Sequence, residues 1–117
     1  MTSRINKRQL GSRYEEKAAA CLEQRGWRIL ERNYRCRQGE VDLICRDGGY
    51  LVFVEVKYRS DDRFGAPAEA VDGRKQARIR GAAAYYLYSH RLPENTPCRF
   101  DVVSILRDQM EVIQNAF

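Results

Sequence analysis

A single histidine, His90, stands in this 117-residue chain, so catalysis built on a histidine triad has little to work with. The four cysteines, Cys21, Cys36, Cys45 and Cys98, lack the short paired spacing of a zinc site. They read as reduced structural thiols of a cytosolic protein. No apolar run approaches membrane-spanning length, and the opening MTSRINKRQLGSR has no hydrophobic segment of the kind a secretory leader carries. A cytoplasmic location with no membrane partner is therefore expected. Repeats, low-complexity tracts and linkers that would divide the chain are also missing, so residues 1–117 are expected to form one domain.

What is present is charge. Hydrophobic residues make up 44% of the chain and charged residues 32%, the balance of a globular protein with a modest core. Lys plus Arg number 21 against 16 Asp plus Glu, a net charge of +5, and the pI is near 9.2. That balance favours a polyanionic partner. The excess is concentrated in residues 1–38, which hold ten basic and four acidic residues.

The stretch Gly39 to Arg59, GEVDLICRDGGYLVFVEVKYR, reads as a β-hairpin: two β-rich runs joined by the turn signal Asp47-Gly48-Gly49. If Gly48 and Gly49 are the central turn residues, Asp47 pairs with Tyr50, and counting back sets Asp42 opposite Glu55. The two carboxylates then lie about 5 Å apart, Cβ to Cβ. Alternation puts Glu40 and Lys57 on the same face, and Val41, Leu43, Val54 and Val56 on the other as core. Opposed like charges destabilise a ladder unless something positive sits between them, and a divalent cation is the obvious candidate. A turn centred on Asp47-Gly48 would set Glu40 opposite Glu55 instead. A three-residue loop would put Asp42 opposite Val54 and dissolve the constellation, and a face of merely solvated charges is ordinary in antiparallel sheets.

Gly39-Glu40-Val41-Asp42-Leu43-Ile44, followed after the hairpin turn by Val52-Phe53-Val54-Glu55-Val56-Lys57, resembles the signature of the restriction-endonuclease-like PD-(D/E)XK nuclease superfamily. Within it the match is to the bacterial YraN-like family, with similar features from about Gly11 to Phe117. Gly39-Glu40 stands where the superfamily name has Pro. The resemblance implies an α/β fold, a restriction-endonuclease-like core with a mixed β-sheet flanked by helices. It also implies that an acidic residue on the first helix joins the metal site. Gly11, Glu15 and Ala18 match the family pattern there, which singles out Glu15 rather than Glu16. By the same analogy the Val56 carbonyl is a further metal donor, and Gln76, after Lys75, supports the site or contacts DNA.

The remaining elements follow from periodicity. Residues 1–8 are basic and expected to be loose. Gln9 to Arg25 carries a helical stripe of Leu10, Tyr14, Ala18, Cys21 and Leu22, with Gly26 at the C-cap. Trp27 to Tyr34 reads as the first strand, and Arg35, Arg37 and Gln38 lead into the acidic hairpin. The loop SDDRFGAPAEAVDG has a short helical turn expected at Pro67 to Val71 and is placed to close over a substrate or simply to connect. Arg74 to His90 is the second helix, started by Asp72-Gly73, with Arg74, Lys75 and Arg78 at its beginning, where basic side chains and free N–H groups suit a phosphate. Tyr85, Tyr86 and Tyr88 fit a core or interface better than base stacking, and His90 fits a helix cap. Arg99 to Arg107 and Met110 to Ile113 complete the order α-β-β-β-α-β-β.

The expected function is metal-dependent hydrolysis of DNA phosphodiester bonds, with branched or repair intermediates named by fold analogy alone. Asp42 and Glu55 would hold Mg²⁺ or Mn²⁺, Lys57 would orient or deprotonate the attacking water, and Arg35, Arg37, Arg74, Lys75 and Arg78 would contact nucleic acid. DNA ranks above RNA, because nothing recognisable reads a 2′-hydroxyl. An enzyme of this size that cuts both strands often works as a homodimer. The alternative is a non-catalytic nucleic-acid-binding or complex-forming module that retains the nuclease fold.

Overall fold

The computed structural model describes the backbone of residues 7–59 and 71–117, with side chains from Arg13 onward. The expected loose tail therefore lies outside the described residues, apart from Lys7 and Arg8, which are helical. So do the side chain of Leu10 and nearly all of the loop with its expected turn at Pro67. The described elements follow the expected order: α1 (Lys7–Gln24), β1 (Arg28–Cys36), β2 (Gly39–Asp47), β3 (Tyr50–Arg59), α2 (Gly73–Ser89), β4 (Cys98–Leu106) and β5 (Gln109–Ile113).

Helix α1 ends as its sequence dictates. Gly26 takes φ +92°, a conformation open to glycine at little cost. This lets the Gly26 N–H bond the Glu23 carbonyl at 2.9 Å and the Trp27 N–H bond that of Leu22 at 3.0 Å. Helix α2 begins at Asp72, whose carboxylate accepts the Lys75 N–H at 2.9 Å. It ends at His90, whose backbone N–H bonds the Tyr86 carbonyl at 3.0 Å and whose ring stacks on Tyr86.

The five strands form one sheet in the order β1-β2-β3-β4-β5. All neighbouring pairs are antiparallel except β3 with β4, which run parallel because α2 carries the chain across between them. This is the mixed sheet of a restriction-endonuclease-like core. The β2–β3 register is the one that a Gly48-Gly49 turn requires, with Asp47 paired to Tyr50 and Leu43 to Val54. Gly48, the first of the two central residues, takes φ +58°.

Each face of the sheet carries one helix and one core. Toward α1, Ala18, Ala19, Leu22 and Trp27 pack on Leu43, Cys45, Val52, Val54, Val103 and Ile105. Toward α2, Ile79, Ala82, Ala83 and Tyr86 pack on Val41, Ile44, Leu51, Phe53 and Val102. Tyr86 is thus core, while Tyr85 and Tyr88 are exposed. All four cysteines are free thiols, and burial pushes the Cys45 thiol up to about 12.

Besides the register shift in β1 between Ile29 and Glu31, strict alternation fails at Val41. It puts Val41 in the same core as Leu43, Val54 and Val56, yet Val41 packs with the α2 side and the other three with the α1 side. The cause is a kink shared by two strands. Asn33 takes φ +53°, and the β1–β2 register places it level with Asp42. Beyond that level the order of faces is shifted, so Tyr34 and its partner Val41 both turn toward α2. At the start of β2, Gly39 lies so close to α2 that a Cβ there would overlap the Arg78 carbonyl oxygen. Only glycine permits that approach, and it draws the beginning of β2 onto the helix.

The hairpin end of the sheet is held by a charge network. Arg99 bonds both Asp101 oxygens at 3.1 and 3.0 Å and reaches Asp47 at 2.9 Å, with its guanidinium over the rings of Trp27 and Tyr50. The fully buried Asp101 also accepts the Asn115 N–H at 2.8 Å, which fixes the C-terminal segment. Phe117 then packs against Phe100. No described helix is long and apolar enough to cross a membrane.

Candidate active site

The β2–β3 ladder closes from the turn as far as Leu43 and Val54, and then the strands part. In a regular continuation the Val56 N–H would bond the Val41 carbonyl, but the kink has carried Val41 away. The Asp42 carboxylate takes its place, accepting the Val56 N–H at 2.8 Å. The N–H and C=O of one strand residue point the same way, so the Val56 carbonyl faces this gap as well.

Glu55 is one residue back on β3, level with Asp42, and its side chain is only 5% exposed. Lys75 of α2 pairs with it, Nζ to Oε1 at 2.7 Å. Burial first, and then the Asp42 charge, push the Glu55 carboxyl up to about 7 against the opposing pull of Lys75 and Lys57. Lys57 points to the same face. Burial, followed by the bond and charge of Lys75, lowers its pKa. Lys75 behaves oppositely: burial works against its charge, but its bonds to Glu55 and Lys57 prevail and its pKa rises.

Glu15 approaches from α1. Burial and the neighbouring Asp42 raise its pKa, opposed by a hydrogen bond from Asn33 and the charge of Arg35. Glu15, Asn33, Tyr34, Arg35, Glu40, Val41 and Asp42 together line a small polar recess of about 90 Å³, the share of liquid volume of about three waters. Two charge-rich hollows therefore adjoin the opened ladder. The second, of about 240 Å³, is lined by Glu40, Asp72, Arg74, Lys75 and Arg78.

The structure thus brings together Glu15, Asp42, Glu55, Val56, Lys57 and Lys75, and sets Arg74 and Arg78 beside them. Arg35 borders the recess and pairs with Glu40 at 3.4 Å, while Arg37 is exposed in the β1–β2 turn. Gln76 does not join the cluster through its amide nitrogen, which bonds the Val71 carbonyl at 2.9 Å. There it ties the incoming chain to the helix start. Sequence reasoning missed Asn33, whose positive φ and bond to Glu15 shape the recess, and the Asp47-Arg99-Asp101 network. Asn is the ordinary residue most tolerant of positive φ, and that was the one available signal.

A family model described as "Uncharacterised protein family UPF0102" matches residues 14–105, a span that includes Glu15, Asp42, Glu55, Lys57 and Lys75. A UPF0102 protein of Lachnoclostridium phytofermentans is 53% identical over 113 residues, covering 97% of this chain and 96% of the relative. One from Moorella thermoacetica is 48% identical over 119 residues, covering 97% and 98%. One from Syntrophus aciditrophicus is 47% identical over 121 residues, covering 100% and 92%.

Proposed function

The chain belongs to the uncharacterised family UPF0102, and we propose that it is a metal-dependent nuclease hydrolysing DNA phosphodiester bonds. The observation that carries this reading is Asp42 level with Glu55 where the β2–β3 ladder opens, with Lys57 on the same face. Two carboxylates and a strand carbonyl are hard oxygen donors of the kind Mg²⁺ and Mn²⁺ take. A buried carboxyl held at about 7 beside a second carboxylate is an electrostatic deficit that a cation relieves. Among the described residues no three or more Asp, Glu, His or Cys side chains surround one ion position. An ion held here would keep most of its waters and take only one or two protein carboxylates.

Asp42, Glu55 and the Val56 carbonyl would hold the ion, with Glu15 close enough to Asp42 to bind one of its waters. A divalent cation supplies a more acidic water and stabilises charge developing on the phosphate. Lys57 would orient the attacking water or help deprotonate it. Arg35, Arg37, Arg74, Lys75 and Arg78 would position the phosphate backbone and carry no sequence information; branched or repair intermediates are the substrates that fold analogy alone names. Cleavage of both strands would call on a second copy of the chain. Four free thiols fit a reducing cytoplasm.

One observation favours a non-catalytic nucleic-acid-binding module instead: Lys75 already neutralises Glu55 directly. Calorimetric titration of Mg²⁺ and Mn²⁺ into wild type and Glu55→Ala, with cleavage of branched, single-stranded and duplex DNA, separates the two. The nuclease reading expects binding and cleavage in the wild type and loss of both in the variant. Absence of metal binding even with DNA present would leave the binding module standing.

A further inference from the structure

Lys75 occupies an unusual position for a phosphate ligand. Its ammonium lies 2.7 Å from Glu55, which is 5% exposed, yet the Lys75 side chain is itself 38% exposed and lines the hollow that Arg74 and Arg78 also line. It therefore stands between a buried carboxylate on one side and an open basic surface on the other. Its backbone is fixed there, because its own N–H bonds the Asp72 cap at 2.9 Å, while its four-carbon side chain has the reach to turn to the hollow once its bonds to Glu55 and Lys57 are given up.

Resting on the nuclease reading, we propose that Lys75 is an exchangeable counter-ion: it neutralises Glu55 in the metal-free protein and transfers to a substrate phosphate when a divalent cation takes Glu55. Both sites cannot hold it at once. A cation entering beside Asp42 and Glu55 must displace the ammonium, and the released ammonium then lies in the hollow where a phosphate of the backbone would sit. Metal and DNA would thereby favour each other's binding, reciprocally and by the same factor. The bond to be broken is a charged hydrogen bond, the kind worth about tenfold or more in an equilibrium constant.

The test is titration of Mn²⁺ into metal-free wild type and Lys75→Met, read by calorimetry. It is paired with binding of a cleavage-resistant phosphorothioate DNA duplex, with and without Mn²⁺, read by fluorescence anisotropy. Without DNA, Lys75→Met should bind Mn²⁺ about tenfold more tightly. With Mn²⁺ present it should bind the duplex more weakly than the wild type, whereas without Mn²⁺ the two should bind it alike. In the wild type, the lysine side-chain ¹⁵N resonance of Lys75 should shift on Mg²⁺ addition, a readout that needs no variant to fold. Equal or weaker Mn²⁺ affinity in a folded Lys75→Met, or an unmoved Lys75 resonance at saturating Mg²⁺, overturns the exchange while leaving the nuclease reading intact. Failure of both proteins to bind Mn²⁺, with DNA present as well as without it, overturns both.

Discussion

Glu55 gives the sharpest prediction, because its ionisation is coupled to folding. Its carboxyl moves from 4.5 to about 7 on folding. Between those values the folded protein binds more protons than the unfolded chain, so stability falls as pH rises. The contribution is fully present below about 4.5 and is lost by the time pH has passed about 7. At roughly 1.4 kcal/mol per pH unit the loss is about 3 kcal/mol, an upper figure that already includes the opposing pull of Lys75 and Lys57. Glu55→Gln has no charge to lose. The two proteins should therefore unfold at similar temperatures near pH 4.5, and the variant should be the more stable by about 3 kcal/mol at pH 8. For a domain of this size that is a difference of about 10 °C in Tm. Thermal unfolding of both proteins across pH 4.5 to 8 separates the contribution of Glu55, with its coupling to Asp42, from the remote carboxylates, which are common to the pair. A difference that stayed flat, or that grew toward low pH, would refute the claim that Glu55 is ionised at a cost.

Three further outcomes are expected. Asp42→Asn keeps an oxygen for the Val56 N–H but removes the charge facing Glu55; the Glu55 carboxyl, followed by NMR, should titrate at lower pH and Mn²⁺ affinity should fall at least tenfold. Gly39→Ala sets a methyl group against the Arg78 carbonyl and should cost about 3 kcal/mol or more, seen as a fall in Tm of about 10 °C. A Tm within 2 °C of the wild type would refute the close packing of β2 on α2. Arg99→Met leaves Asp101 buried without its cation, an arrangement that costs about 3 to 5 kcal/mol, so chemical denaturation should show the corresponding loss.

The elements were legible because their signals are local. Gly48-Gly49 fixed the hairpin register, Gly26 the end of α1 and Asp72 the start of α2, each through backbone conformations or capping bonds confined to a few residues. From the register alone Asp42 and Glu55 could be placed level with each other. Partners set by tertiary packing were not legible: the Lys75 bond to Glu55, the spending of the Gln76 amide on Val71, and the Asp47-Arg99-Asp101 link across three strands. Alternation itself was misleading at Val41, and that failure has a functional consequence. A ladder regular through Asp42 would give the Val56 N–H to the Val41 carbonyl and close the sheet against both carboxylates. The positive φ of Asn33 and the approach of Gly39 to α2 prevent this, freeing a strand N–H for Asp42 and opening the recess that Glu15 shares. The same distortion that broke the period-two pattern opens the recess beside Asp42, which is why the rule fails at the candidate site and holds nearly everywhere else along the hairpin.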